Sequence, residues 1–81
     1  MTRPTPQKLR ATLERDLAEA EADVLQGARH LEQQHKVISE LERDGHDTLQ
    51  AKELLVTFEK SMALHVEHRD RLRKELQEPG E

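Results

Sequence analysis

Apolar residues recur every seven positions along two stretches of this chain, and one short polar segment separates the stretches. In the first stretch the repeat positions are spaced alternately four and three apart, and they comprise Leu13, Leu17, Ala20, Val24, Gly27, Leu31, Gln34, Ile38 and Leu41. In the second stretch they comprise Ala51, Leu54, Phe58, Ser61, His65, His68 and Leu72. This spacing lays one apolar stripe along each of two helices. The sequence therefore predicts an all-α fold, an antiparallel helical hairpin.

Specific residues mark the turn and the helix ends. Gly45 suits the left-handed backbone that ends a helix, and Asp47 suits the N-cap of the next one. Thr5 and Pro6 together are typical of a helix start. The predicted divisions are a disordered segment 1–4, a helix over 5–43, a turn over 44–47, a helix over 48–77 and a disordered segment 78–81.

Folding the chain about Gly45 predicts which residues meet along the seam, the line where the two helices touch. Gly27 then lies opposite Ser61 and Met62, and its missing side chain allows the helices to approach closely there. Polar Gln34 interrupts the apolar stripe, and such a residue is typical of a device that fixes register or partner number.

Further apolar residues fall beside the two stripes and widen the apolar face. They comprise Leu9, Ala28, Val37, Leu55, Met62, Leu64 and Leu76. A face wider than a two-helix seam is typical of helical bundles. We therefore expect a homodimer in which two hairpins form a four-helix bundle, and the alternatives are a higher oligomer or a complex with another protein. The predicted core and dimer interface comprises Leu13, Leu17, Val24, Leu31, Ile38, Leu41, Leu54, Leu55, Phe58, Met62, Leu72 and Leu76.

Composition and charge exclude several classes of function. The chain has 81 residues, 37% of them charged, and a formal net charge of −4. Phe58 is the sole aromatic residue and cysteine is absent, so the chain lacks stacking platforms and thiolate chemistry. No apolar run approaches the roughly 18 residues of a membrane span, and no signal segment is recognisable, so a cytoplasmic location without membrane contact is predicted. No phosphate-binding loop or activated nucleophile is recognisable, which predicts no enzymatic activity and no cofactor.

Two histidines provide the chemical alternative. His65 and His68 lie three residues apart on the predicted stripe, which brings both imidazoles to one side of the helix. With a carboxylate such as Glu21 from the facing helix they could bind zinc, and near acidic residues they could sense pH. The competing interpretation is that they are hydrogen-bonded, partly solvated polar residues. The basic stretch 69–74 is interleaved with acids and predicts a self-paired, solvated face rather than a nucleic-acid site.

Several stretches between Ala22 and Leu76 resemble small uncharacterised helical-hairpin proteins of alphaproteobacteria. The resemblance is based on 27–31, on the turn motif 41–48, on Leu54-Leu55 with Phe58-Glu59, and on His65 with 68–72. It implies a soluble bacterial protein of two helices and carries over no functional residue. The predicted function is a small structural or regulatory module that binds itself and another protein. The alternative is a histidine-based metal-binding or pH-sensing bundle.

Overall fold

Two long α-helices joined by a short turn make up the part of the chain that the structure describes. The structure is a computed structural model, and it describes the backbone of residues 6–77 and the side chains of residues 9–77. Helix α1 spans Pro6–Arg43 and helix α2 spans Leu49–Gln77. The two helices pack against each other along their length, so the predicted helical hairpin is confirmed. The predictions for Thr5 and for segments 1–4 and 78–81 lie outside the described residues.

The hairpin is a rod. Its principal extents are 62 × 22 × 15 Å, and its radius of gyration is 18.5 Å, where a compact domain of this length has about 12 Å. The shape follows from the length of α1, because 38 residues at about 1.5 Å each extend for about 57 Å. A rod of two helices has no interior beyond the seam, so every other side of both helices faces outward.

The C-terminus of α1 is closed by the glycine that the sequence predicts for this role. Gly45 has φ 75°, the left-handed backbone that disfavours residues with a Cβ atom. The His46 N–H donates to the Leu41 carbonyl at 2.8 Å, and the Gly45 N–H donates to the Glu42 carbonyl at 3.2 Å. These two hydrogen bonds form a Schellman motif, which satisfies carbonyl groups that the helix itself leaves without partners.

The start of α2 is capped by a carboxylate. The Asp47 carboxylate accepts a hydrogen bond from the Leu49 N–H at 3.0 Å, as predicted for an N-cap residue. Helix α2 begins at Leu49, one residue later than predicted. The negative charge also lies at the positive end of the helix dipole, which favours it there. The turn therefore ends one helix and starts the next with few residues.

Contacts across the seam confirm the predicted register. The space that a Cβ atom on Gly27 would occupy lies 2.8 Å from the sulfur of Met62, so the methionine fills the gap left by the glycine. Nearer the turn, the buried side chain of Gln34 donates from Nε2 to the Ala51 carbonyl at 2.9 Å. This bond ties a polar stripe position of α1 to the first turn of α2, as expected of a residue that fixes register.

The seam follows the predicted line on α1 but a different line on α2. All stripe positions of α1 are buried or half-buried, whereas Leu54, Ser61 and His68 of α2 are exposed, so their prediction as seam residues is wrong. Counted from Ala51, the seam positions of α2 are spaced four and then three residues apart, rather than three and then four. This spacing brings Leu55 and Met62 into the seam in place of Leu54 and Ser61, because it buries more apolar surface. The buried and half-buried residues of α2 are Ala51, Leu55, Phe58, Met62, His65, Val66, Arg69, Leu72 and Leu76.

This change of line makes the apolar face narrower than predicted. The residues of α2 that were expected to widen it, Leu55, Met62 and Leu76, lie in the seam itself. Among the described side chains, the buried residues are Ala20, Ile38, Leu72 and Gln34, and no large side chain is fully buried. The large apolar residues that remain exposed are Leu9, Leu25, Val37, Leu49, Leu54, Val56 and Leu64.

Candidate interaction surfaces

One side of the rod is lined by ion pairs that connect the two helices. Arg73 lies 3.4 Å from Glu21, and Lys52 lies 3.9 Å from Glu42. Steps of seven residues from these four positions remain on the same side of each helix. We call this side the ion-pair face. It comprises Glu21, Ala28, His35 and Glu42 of α1 and Lys52, Glu59, Val66 and Arg73 of α2, flanked by Ala18, Leu25, Val56 and Ala63.

Apolar side chains interrupt the charges near the middle of the ion-pair face. Leu25 is 61% exposed and lines a shallow depression of about 230 Å³ together with Glu21 and Arg73. Ala28 lies one turn further along α1, and half-buried Val66 occupies the corresponding position of α2. One level of this face, that of Ala28 and Val66, is therefore apolar, and it lies between polar and charged levels.

The opposite side of the rod carries a shallow groove. His30 tilts against Phe58 with their ring centroids 5.6 Å apart, and the pair separates two depressions of about 290 and 310 Å³. Gly27 and Met62 both line the first depression. We call this side the groove face. It comprises Asp16, Asp23, His30 and Val37 of α1 and Leu54, Ser61, His68 and Glu75 of α2.

The two candidate metal ligands do not form a site with the predicted carboxylate. His65 is half-buried and lines the groove, whereas His68 is exposed. Glu21 lies on the other side of the rod, where it pairs with Arg73. Within residues 6–77, no group of three or more histidine, aspartate or glutamate side chains is placed to hold a metal ion. The prediction that His65 and His68 share the seam opposite Glu21 is therefore wrong.

The basic stretch 69–74 is paired with nearby acids. Arg69 lies 3.0 Å from Asp70, and Arg71 lies 3.5 Å from Glu67, one turn earlier on the same helix. Glu67 with Arg71 is a contact expected of a self-paired face, whereas Asp70 contacts Arg69 rather than Lys74, the residue four positions later. Exposed pairs of this kind add little stability, but they lower the positive potential that a phosphate backbone would need.

Two features of these surfaces escaped the sequence interpretation. The links Glu21–Arg73 and Glu42–Lys52 depend on the line of the seam along α2, and the line predicted from the sequence lies one position away. With the observed line of the seam, these four positions flank the seam on one side. The heptad spacing would therefore have predicted both ion pairs if the line on α2 had been known. The contact between His30 and Phe58 had no such signal, because aromatic packing depends on rotamers that spacing does not specify.

Comparison with known proteins gives no match to this chain among protein-family models, curated proteins or solved structures. Within residues 6–77, neither helix includes a stretch that is apolar enough, over sufficient length, to cross a membrane.

Proposed function

We propose that this chain is a small structural or regulatory protein–protein interaction module, without catalytic activity, that associates with itself as a homodimer. In the dimer two hairpins form a four-helix bundle, and the remaining outer surface is available to another protein. A location in the bacterial cytoplasm, which the amino-acid sequence predicts, is part of this proposal.

The observation that supports self-association best is the large exposed surface of the single hairpin. Its accessible area is 6836 Å², whereas a compact monomer of 9.4 kDa exposes about 5000 Å². A standard protein interface removes about 800 Å² from each partner. Pairing two rods side by side would therefore remove somewhat less than half of this excess exposed area per chain.

Shallow burial supports the same conclusion. Ala20, Ile38 and Leu72 are the buried apolar residues among the described side chains, and single cores of this size give little net stability. Large apolar side chains such as Leu25 and Leu64 are more than half exposed. Burying some of these in an interface between copies would add apolar burial that one hairpin lacks.

The test is the absolute mass of the chain in solution. Light scattering after gel filtration, with refractive-index detection because the chain has no tryptophan or tyrosine, is measured at low micromolar concentration. We expect twice the chain mass of 9.4 kDa. A mass of one chain that persists as the concentration rises would contradict self-association and would direct the search to a different partner protein.

A further inference from the structure

We propose that two copies pair through the ion-pair face, with both turns at the same end of the dimer. This inference rests on the proposed self-association and adds the surface and the orientation. In this arrangement a two-fold axis runs parallel to the rods, so α1 of one copy lies against α2 of the other at the same level. The charges of this face, its apolar middle and the charges of the groove face support the proposal.

Opposite charges occupy matching levels of the two helices along the ion-pair face. Glu21 lies 3.4 Å from Arg73, and Glu42 lies 3.9 Å from Lys52 in the same chain. At both levels the acid is on α1 and the base is on α2. Because the proposed axis places α1 against α2 of the other copy, every such acid also meets a base of the second copy.

In the dimer, the second copy provides further ion-pair partners for these half-exposed side chains. The Arg73 and Glu21 side chains are 47% and 48% exposed, and a guanidinium group has five N–H donors, more than one carboxylate uses. Around the axis, two carboxylates and two guanidinium groups alternate in sign. Such exposed pairs add modest energy, but complementary charges fix register and orientation.

The apolar middle of the face supplies the desolvated centre that an interface needs. Ala28 and Val66 lie at one level, and Leu25 and Ala63 flank them on the outer side of each helix. In the dimer these residues meet their counterparts around the axis, with charged levels above and below. An apolar centre with a polar rim is the usual composition of protein interfaces.

The orientation with turns at opposite ends is less favourable. With its axis at the level of Ala28 it would place α1 against α1 and α2 against α2. Glu59 of one copy would then lie at the level of Arg73 of the other, but Glu42 would lie at the level of Glu14. Two carboxylates at one level repel each other, whereas the proposed orientation pairs Glu42 with a second Lys52. Charge complementarity therefore favours turns at the same end.

The groove face is less suited to the same kind of pairing. Asp16 and Glu75 occupy the same level on that side, so pairing two copies about an axis parallel to the rods would bring four carboxylates together. Val37, Leu54 and Leu64 are exposed apolar residues on that side as well, so it is the charges rather than the apolar surface that disfavour pairing there. The groove face therefore remains open in the proposed dimer.

Two exposed leucines provide a matched test of the face. Leu25 lies on the ion-pair face and is 61% exposed, and Leu64 lies on the side of the groove face and is 67% exposed. We expect Leu25→Glu to weaken dimerisation at least about tenfold, because it places a charge at the apolar centre. We expect Leu64→Glu to leave the dimer intact. Light scattering over a concentration series gives both affinities, and circular dichroism shows whether each variant keeps its helices.

A label in the turn tests the orientation without changing the face. The chain has no cysteine, so His46→Cys provides a single attachment point for a spin label on an exposed turn residue. Electron–electron double resonance then measures the distance between the two labels of a dimer. With turns at the same end we expect less than about 30 Å, because packed helices lie only about 10 Å apart. With turns at opposite ends the distance would approach the 62 Å length of the rod.

These outcomes separate this inference from the proposed function. A monomer in light scattering contradicts self-association itself. A dimer that survives Leu25→Glu but dissociates with Leu64→Glu overturns the choice of face, and a label distance near the full rod length overturns the orientation. In either of the last two cases self-association still holds.

Discussion

The seam is tightly closed at one level toward each end and open between these two levels. Toward the end remote from the turn, Ala20 and Leu72 are 2% and 7% exposed, and toward the turn Gln34 and Ile38 are 8% and 7% exposed. Between them, no residue of α1 over 21–33 is buried, and the groove opens beside Gly27. The difference shows what a two-helix seam requires. At Ala20 a small residue packs closely against its neighbours, whereas at Gly27 the Met62 sulfur occupies the place of a side chain and a groove stays open beside it.

The largest expected effect compares one large apolar residue from each region. We expect Leu72→Ala at the closed end to cost about 3 kcal/mol of unfolding free energy, because it leaves a cavity that a tightly packed site cannot close. Met62→Ala in the open middle should cost about half as much, since that side chain already borders the groove. Urea unfolding followed by circular dichroism at equal chain concentration measures both. Equal losses would contradict the distinction between the two regions.

A smaller effect is expected from the polar residue at the closed end near the turn. Gln34→Ala removes the hydrogen bond from Nε2 to the Ala51 carbonyl and should cost about 1 kcal/mol. Its neighbour Gln33 is exposed, so Gln33→Ala is the matched control and should change stability by less than about 0.5 kcal/mol. The same unfolding experiment applies. If both variants behave alike, the buried amide adds nothing to the seam.

The smallest expected effect comes from filling the gap in the open middle. Gly27→Ala gains about 1 kcal/mol of helix propensity, but the new methyl group would stand 2.8 Å from the Met62 sulfur. Because the groove beside it gives the flexible methionine room to turn, we expect a net gain below about 1 kcal/mol. In a Met62→Ala background the full gain should appear, and a double-mutant cycle measures the difference. A clear loss of stability in the first variant would show that the middle is as tightly packed as the ends.

Much of the fold followed from the sequence, and the error on α2 has a specific cause. Ala51, Phe58, His65 and Leu72 belong equally to a repeat that begins with a step of three and to one that begins with a step of four. The two repeats differ only at the positions between these four residues. There the observed repeat has apolar Met62 where the predicted repeat has polar Ser61. The sequence therefore contains the signal for the observed line of the seam, although this line places one charged residue, Arg69, in the seam.

The candidate site was less predictable, because it depends on side-chain conformations. Spacing placed His65 near the seam correctly, but it could not show that His68 faces solvent until the line on α2 was fixed. The tilt of His30 against Phe58 depends on rotamers, as does the position of the Met62 sulfur over Gly27. A heptad pattern specifies which residues approach each other and leaves their detailed contacts open.

The Arg10 guanidinium reaches the Leu76 carbonyl at 3.5 Å, so the two helix ends remote from the turn lie side by side. The hairpin is therefore suited to insertion into another protein. A surface loop of a host protein could be replaced by the segment from α1 to α2, because the points of entry and exit are close together. A peptide epitope inserted at the turn would then be held on a stalk, at a distance from the host that the 62 Å rod determines.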